Sequence, residues 1–156
     1  MKPLIFTLLF VFSAIYTKAQ YYISIMPSTY LSSGGYSSRL TADVEFGKQW
    51  GDFSMGIELG KTNFTKVKEK DTTTYLEWRP NLNVFHQGRF TNTLTIGIGY
   101  VFNAGQNLLT ECSSGIEYSI NEHYHYNLYF GTYYFAGEET SSNLNFVGMS
   151  IIYYLK

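Results

Sequence analysis

The chain has 156 residues, with 11 Lys+Arg against 12 Asp+Glu and a formal net charge of −1. That length fits one domain, and the charge balance offers no basic excess to engage nucleic acid. A single cysteine, Cys112, excludes an internal disulfide, and 15 Tyr, 12 Phe and 14 Gly against 3 Pro favour strands over helices.

Residues 1–19 read as a secretory signal peptide. Lys2 gives a positive start, Leu4 to Ile15 is largely apolar, and Thr17-Lys18-Ala19 ends on a small residue suited to cleavage. The apolar run is too short to be a convincing membrane helix. Cleavage after Ala19 leaves 20–156 as one mature domain of 137 residues, with Lys+Arg reduced to 9 and a net charge of −3. The Ala19-Gln20 junction resembles that of many exported proteins of the Bacteroidota. Cys112 lies far from it, so a lipoprotein-type lipid anchor has no support.

The mature region alternates with period two, and eight segments fit, at about 21–30, 37–46, 52–61, 73–85, 90–103, 109–120, 123–135 and 144–155. In the first, Ile23 and Ile25 alternate with Tyr22 and Ser24 until Pro27, where a bulge or local break is expected. In the second, Leu40, Ala42, Val44 and Phe46 alternate with Arg39, Thr41, Asp43 and Glu45. The third sets Phe53, Met55, Ile57 and Leu59 against Ser54, Gly56, Glu58 and Gly60. The fourth sets Leu76 and Trp78 against Glu77 and Arg79, with Leu82 and Val84 in phase beyond Pro80. The fifth sets Leu94, Ile96, Ile98 and Tyr100 against Thr95, Gly97 and Gly99. The sixth sets Ile116, Tyr118 and Ile120 against Glu117 and Ser119. In the seventh, Tyr124, Tyr126, Leu128, Phe130 and Tyr134 share one face. Side chains two apart share a face, so each segment has a large apolar face and a polar or glycine face.

Each segment approaches the roughly 9–11 residues that cross hydrocarbon at a tilt. Connections near Gly47–Gly51, His86–Arg89 and Asn121–Glu122 are short, while those near Leu31–Tyr36, Thr62–Thr72, Asn103–Leu108 and Ala136–Asn143 are generally longer. Short periplasmic turns alternating with longer outer loops are the pattern of outer-membrane barrels. The expected fold is therefore an all-β, eight-stranded antiparallel up-and-down transmembrane β-barrel, with both termini periplasmic. Its expected surroundings are outer-membrane lipid on the apolar face and an outer-membrane or periplasmic protein partner.

On these strand patterns the mature chain resembles the small eight-stranded outer-membrane proteins, such as the OmpA transmembrane domain and the OmpX-like proteins. Such barrels often end on an aromatic residue. This chain ends Ile151-Ile152-Tyr153-Tyr154-Leu155-Lys156, which displaces the aromatics from the terminus.

The same phase directs the acids Asp43, Glu45, Glu58, Glu77, Glu111 and Glu117 and the bases Arg39 and Arg79 into the lumen. Charges in a narrow interior need partners or water, so these residues form a structural lumen cluster. Arg79 is expected at mid-barrel with Glu58, Glu77 and Glu117 as neighbours, and Arg39 toward the outer end. Eight strands enclose an interior that side chains can fill, so a plug is expected ahead of a pore. Inward Gly56, Gly97, Gly99, Gly115, Gly131 and Gly148 leave room for Tyr75, Tyr129 and Tyr133.

No residue set calls for a cofactor or a metal. His123 and His125 are two apart, which supplies only two ligands, and a polar structural role is preferred. Gly97-x-Gly99 lies in a strand and opens no helix, so it is not a dinucleotide loop. Neither His123 nor His125 has a serine two residues later, as the barrel deacylases have. Ser119 and Ser150 are nucleophile candidates only through a contact made by the fold. Lys61, Lys66, Lys68 and Lys70, mixed with Glu69 and Asp71, read as a solvated loop. The expected function is a structural or interaction protein of the outer membrane, with a narrow channel, a lipid-modifying enzyme and a soluble carrier as successive alternatives.

Overall fold

A computed structural model describes residues 19–31, 40–62, 73–102, 108–136 and 142–155. The expected signal peptide, apart from Ala19, lies outside these segments, as do Arg39, Lys66, Lys68 and Lys70. Eight strands form: β1 Gln20–Leu31, β2 Leu40–Trp50, β3 Phe53–Thr62, β4 Thr73–Gln87, β5 Phe90–Val101, β6 Leu108–Ser119, β7 Tyr124–Ala136 and β8 Ser142–Tyr154. Each pairs antiparallel with its sequence neighbours, and β1 pairs with β8 to close the barrel. Closure removes the sheet edges that would otherwise present unpaired backbone groups.

The first tight turn differs from its expected place. β2 runs through Gly47 to Trp50, and the chain reverses at Gly51-Asp52, with Trp50 opposite Phe53 and Gly51 at φ 59°. Gly47 has another reason to be glycine. It sits opposite Tyr22, whose Cζ lies 2.3 Å from where a Cβ would stand. The β4–β5 turn is Gly88-Arg89, with Gly88 at φ 61°. At the β6–β7 turn, Asn121 Oδ1 accepts the backbone N–H groups of His123 and Tyr124, each at 2.8 Å. The first and last described residues, Ala19 and Leu155, lie at this same turn end, where the Leu155 N–H donates to the Tyr21 carbonyl at 2.7 Å.

Proline at two strand positions shows how a barrel accommodates a missing donor. Pro27 pairs with Ala42 of β2, while pairing to β8 is interrupted between Ile25 and Ser28 without a change of register. The local break expected there is present. Pro80 likewise pairs with Met55, while pairing to β5 is interrupted between Trp78 and Asn81. The register shift falls instead at Asn83/Phe85 in β4.

The two barrel faces reverse the arrangement of a soluble protein. Ile25 (55%), Ile96 (62%) and Phe130 (63%) are exposed outside, whereas Asp43, Glu58, Glu77 and Glu111 are buried inside. In β5 the exposed set is Phe90, Asn92, Leu94, Ile96, Ile98 and Tyr100, and the buried set is Thr91, Thr93, Thr95, Gly97, Gly99 and Val101. An outer face of that composition is stable against hydrocarbon and costly in water. At the turn end, Lys48 reaches over the rings of Tyr21 and Trp50, 4.9 and 5.3 Å from their centroids. An amphipathic cation over aromatic rings suits a membrane–water boundary.

Inside, tyrosines lie over the glycines opposite them. Tyr22 faces Gly47, Tyr75 faces Gly60 and Tyr129 faces Gly148. A Cβ at Gly148 would stand 2.3 Å from the Tyr129 Cζ. Gly148→Val should therefore displace the Tyr129 ring and destabilise the barrel by about 1–3 kcal/mol, the usual cost of overpacking. Urea unfolding in lipid vesicles tests this; a variant as stable as the parent would show that the ring moves freely.

Candidate functional site

The lumen has three layers along the barrel axis. At the loop end, Tyr75, Val101, Leu109, Tyr133 and Phe146 are fully or nearly fully buried and cluster with Met26 and Tyr129. Tyr133 stacks on Phe146 with centroids 4.4 Å apart, and Tyr75 meets Tyr133 edge-on at 6.3 Å. Those first five residues come from the loop-end portions of β4, β5, β6, β7 and β8, so their packing spans that side of the lumen among the described residues.

The middle layer is ionic. Arg79 is the one buried basic side chain among the described residues. Its Nε and Nη2 donate to the two oxygens of Glu111 at 2.8 and 2.9 Å, a bidentate pair. Its Nη1 reaches Glu45 Oε2 at 2.8 Å and Glu58 Oε2 at 2.6 Å. One guanidinium thus ties β4 to β2, β3 and β6. Each carboxylate is held from a second side as well. Tyr22 donates to Glu45 Oε1 at 2.5 Å, Tyr75 donates to Glu58 Oε1, and Ser113 Oγ bonds Glu111 Oε1 at 2.5 Å. Asp43 accepts the Lys61 backbone N–H at 3.2 Å.

Of the three neighbours expected for Arg79, only Glu58 bonds to it. Glu77 sits directly opposite Glu58 in the ladder, but neither of its carboxylate oxygens has a hydrogen-bond partner. Glu117 lies nearer the turn end and pairs with His125 Nδ1 at 2.5 Å. Glu45 and Glu111 take their places. Position along each strand points to Glu77 and Glu117, whereas the tilt and stagger of barrel strands bring different residues to one height. Long Arg and Glu side chains then reach across the lumen, which spacing along one strand does not reveal.

Toward the turn end the third layer is polar. A cavity of about 50 Å³ is lined by groups including Ser24, Glu45, Arg79, Asn81, Asn127 and Ser150. That is room for a few waters, and each ordered water needs polar partners. Ser24 Oγ and Asn127 Oδ1 are buried without protein partners. Tyr75, Tyr133 and Phe146 do not line this cavity.

The histidines do not converge as a pair. His123 Nδ1 contacts the Tyr154 carbonyl at 3.0 Å, while His125 packs on the Tyr154 ring at 4.7 Å. His86 is at the turn-end rim, bridging Asp52 at 2.8 Å and Thr91 at 3.0 Å. Ser119 does approach His125, at 3.4 Å. However, Ser119 and Glu117 both address Nδ1 of that ring. A nucleophile and an orienting carboxylate need opposite nitrogens for proton relay, so this trio lacks the connectivity of a catalytic triad.

Together, closure, an apolar exterior and a charged interior define the fold as that of a small transmembrane β-barrel. Solved structures of outer-membrane barrels share it. Neisserial surface protein A aligns with a TM-score of 0.59 at 11% identity, covering 88% of this chain and 96% of that one. The N-terminal barrel domain of Pseudomonas aeruginosa OprF gives 0.58 at 10% identity, covering 88% and 98%. The Yersinia pestis outer-membrane protein Ail, in a phospholipid bilayer nanodisc, gives 0.52 at 10% identity, covering 88% and 100%. No protein-family model matches the chain. No curated protein matches it in sequence.

Proposed function

We propose that the protein is an integral outer-membrane structural or interaction protein whose lumen is a plug. The observation that carries this reading is the Arg79 cross-brace beneath an aromatic seal, inside a barrel whose outer face is apolar. A conduction pathway needs a continuous wet passage, whereas the loop-end layer here is side chain against side chain. Function then resides at the barrel's surface, as a stabiliser of the envelope or as a small subunit of a larger outer-membrane complex. The wider placement beside the OmpA domain and OmpX-like proteins rests on strand number and connection pattern. A Bacteroidota source rests on the Ala19-Gln20 junction.

Two measurements test this reading. Alkaline carbonate washing should leave the mature chain in the outer-membrane fraction, and purified protein in planar bilayers should show no steady conductance. Release of most folded chain by carbonate would remove the membrane assignment, and stable single-channel steps would favour a narrow channel.

The proposed orientation is supported by the tight turns lying at the same end as the first and last described residues. In the outer-membrane pattern that end is periplasmic. A small tag inserted at Lys68, between β3 and β4, should be labelled on intact cells, whereas one at Gly88 should require permeabilised cells. The reverse pattern would invert the topology.

A further inference from the structure

We propose that Glu58, Glu77 and Glu111 form a binding site for a hard divalent cation, of the calcium class, within the lumen. One carboxylate oxygen from each of the three lies within 4.8 Å of the others, and all three residues are buried. Oxygens that share one cation at 2.3–2.6 Å lie within about 5 Å of each other, so the spacing fits.

Glu77 is the separate observation that points to a ligand. It is 1% exposed, and both its oxygens lack any hydrogen-bond partner. Every other carboxylate around Arg79 is held by named donors, and Glu77 alone is aimed into the group with both oxygens unused. The fold makes room for it there. A Cβ at Gly97 would stand 1.9 Å from Glu77 Oε1, so only glycine lets the carboxylate lie against the strand.

Charge argues the same way. Glu45, Glu58 and Glu111 bond the guanidinium of Arg79, the one buried base among the described residues, and Asp43 and Glu77 are buried close to those carboxylates. An unpaired buried carboxylate is costly, and a water bound to Glu77 would supply hydrogen bonds but no positive charge. A divalent cation supplies both contacts and charge.

The donor set selects the class. It is all carboxylate oxygen, which suits hard cations over zinc or copper. Each carboxylate has about four lone-pair sites, so the contacts of Glu58 and Glu111 with Arg79, Tyr75 and Ser113 leave capacity for a metal. Calcium accepts irregular shells that include bidentate carboxylates, whereas magnesium demands a near-regular octahedron and keeps its waters. The polar cavity that opens from the turn end reaches Arg79 and Glu45, at the edge of the site, and gives an ion a polar approach.

The test uses the mature chain refolded from urea into a neutral maltoside detergent, stripped with EDTA and dialysed. Mn²⁺ is the probe, with free Mn²⁺ counted by electron paramagnetic resonance. We expect one Mn²⁺ per chain, displaced by excess Ca²⁺. Glu77→Gln should weaken binding by at least about tenfold, and Glu117→Gln, at the turn-end mouth, should leave it unchanged. No Mn²⁺ bound above the detergent blank by the parent chain would overturn the site, and that result does not depend on whether a variant folds. Binding that survives Glu77→Gln, or that is lost in Glu117→Gln, would place the ion elsewhere and overturn it equally.

Discussion

Arg79→Ala is expected to give the largest loss of stability of any single substitution in this barrel. The change strands Glu45, Glu58 and Glu111, which now share one guanidinium at 2.6–2.9 Å. Breaking a buried pair by deleting one partner costs about 3–5 kcal/mol, because the remaining charge stays buried without compensation. The cavity beside Arg79 has room for water, and hydration there would lower that figure toward the bottom of the range. Arg79→Lys should recover only part of the loss, since an ammonium cannot reproduce the bidentate contact with Glu111. Thermal unfolding in detergent, read alongside conductance in planar bilayers, separates the two roles this residue could have. A brace gives a lower melting temperature with little conductance. An unchanged melting temperature with a clear, steady change in single-channel conductance would overturn the plug.

The second large effect concerns the loop-end seal. Phe146 is 1% exposed, stacks on Tyr133 at 4.4 Å and meets Tyr129 at 5.9 Å. Its para carbon also lies 2.8 Å from where a Cβ on Gly131 would stand, so its ring fills the space that glycine leaves. Phe146→Ala removes the central ring of the cluster, and large-to-alanine changes in packed interiors cost about 3–5 kcal/mol. Denaturant unfolding in lipid vesicles checks it; a loss below about 1 kcal/mol would mean that this layer is loosely packed. The ionic layer still bridges the barrel in this variant, so conductance should appear only when Phe146→Ala is combined with Arg79→Ala. Conductance from Phe146→Ala alone would show that the seal, and not the brace, closes the lumen.

Arg79 and Phe146 differ in how far the chain itself announces them. Alternation of Leu76 and Trp78 with Glu77 and Arg79 gives β4 its inward charges, and the run from Thr91 to Val101 gives β5 its two faces. Successive Cβ atoms on a strand point to opposite sides, so facing is a local property of the chain. Nothing local in the sequence singles out Phe146, because its importance lies in the rings of β7 that it meets. Turn chemistry was legible to a lesser degree. Gly88 lies in the turn its sequence neighbourhood predicts, while Gly47, expected in a turn, instead makes room for Tyr22. A glycine signals a close approach as readily as a reversal, and the approaching ring belongs to another strand.

The sequence by itself thus determined strand number, strand facing and, among the described residues, which charges point inward, because each depends on residues close in the chain. It could not determine which charges meet. The three partners of Arg79 lie 21, 32 and 34 residues away along the chain, and only the stagger of a closed barrel brings them to one height. Tertiary structure also left Glu77 without a partner, in a place where strand alternation had counted it as one more member of the cluster. Pairing across a lumen is a property of closure, since it is fixed by tilt and register across several strands and by the reach of long side chains.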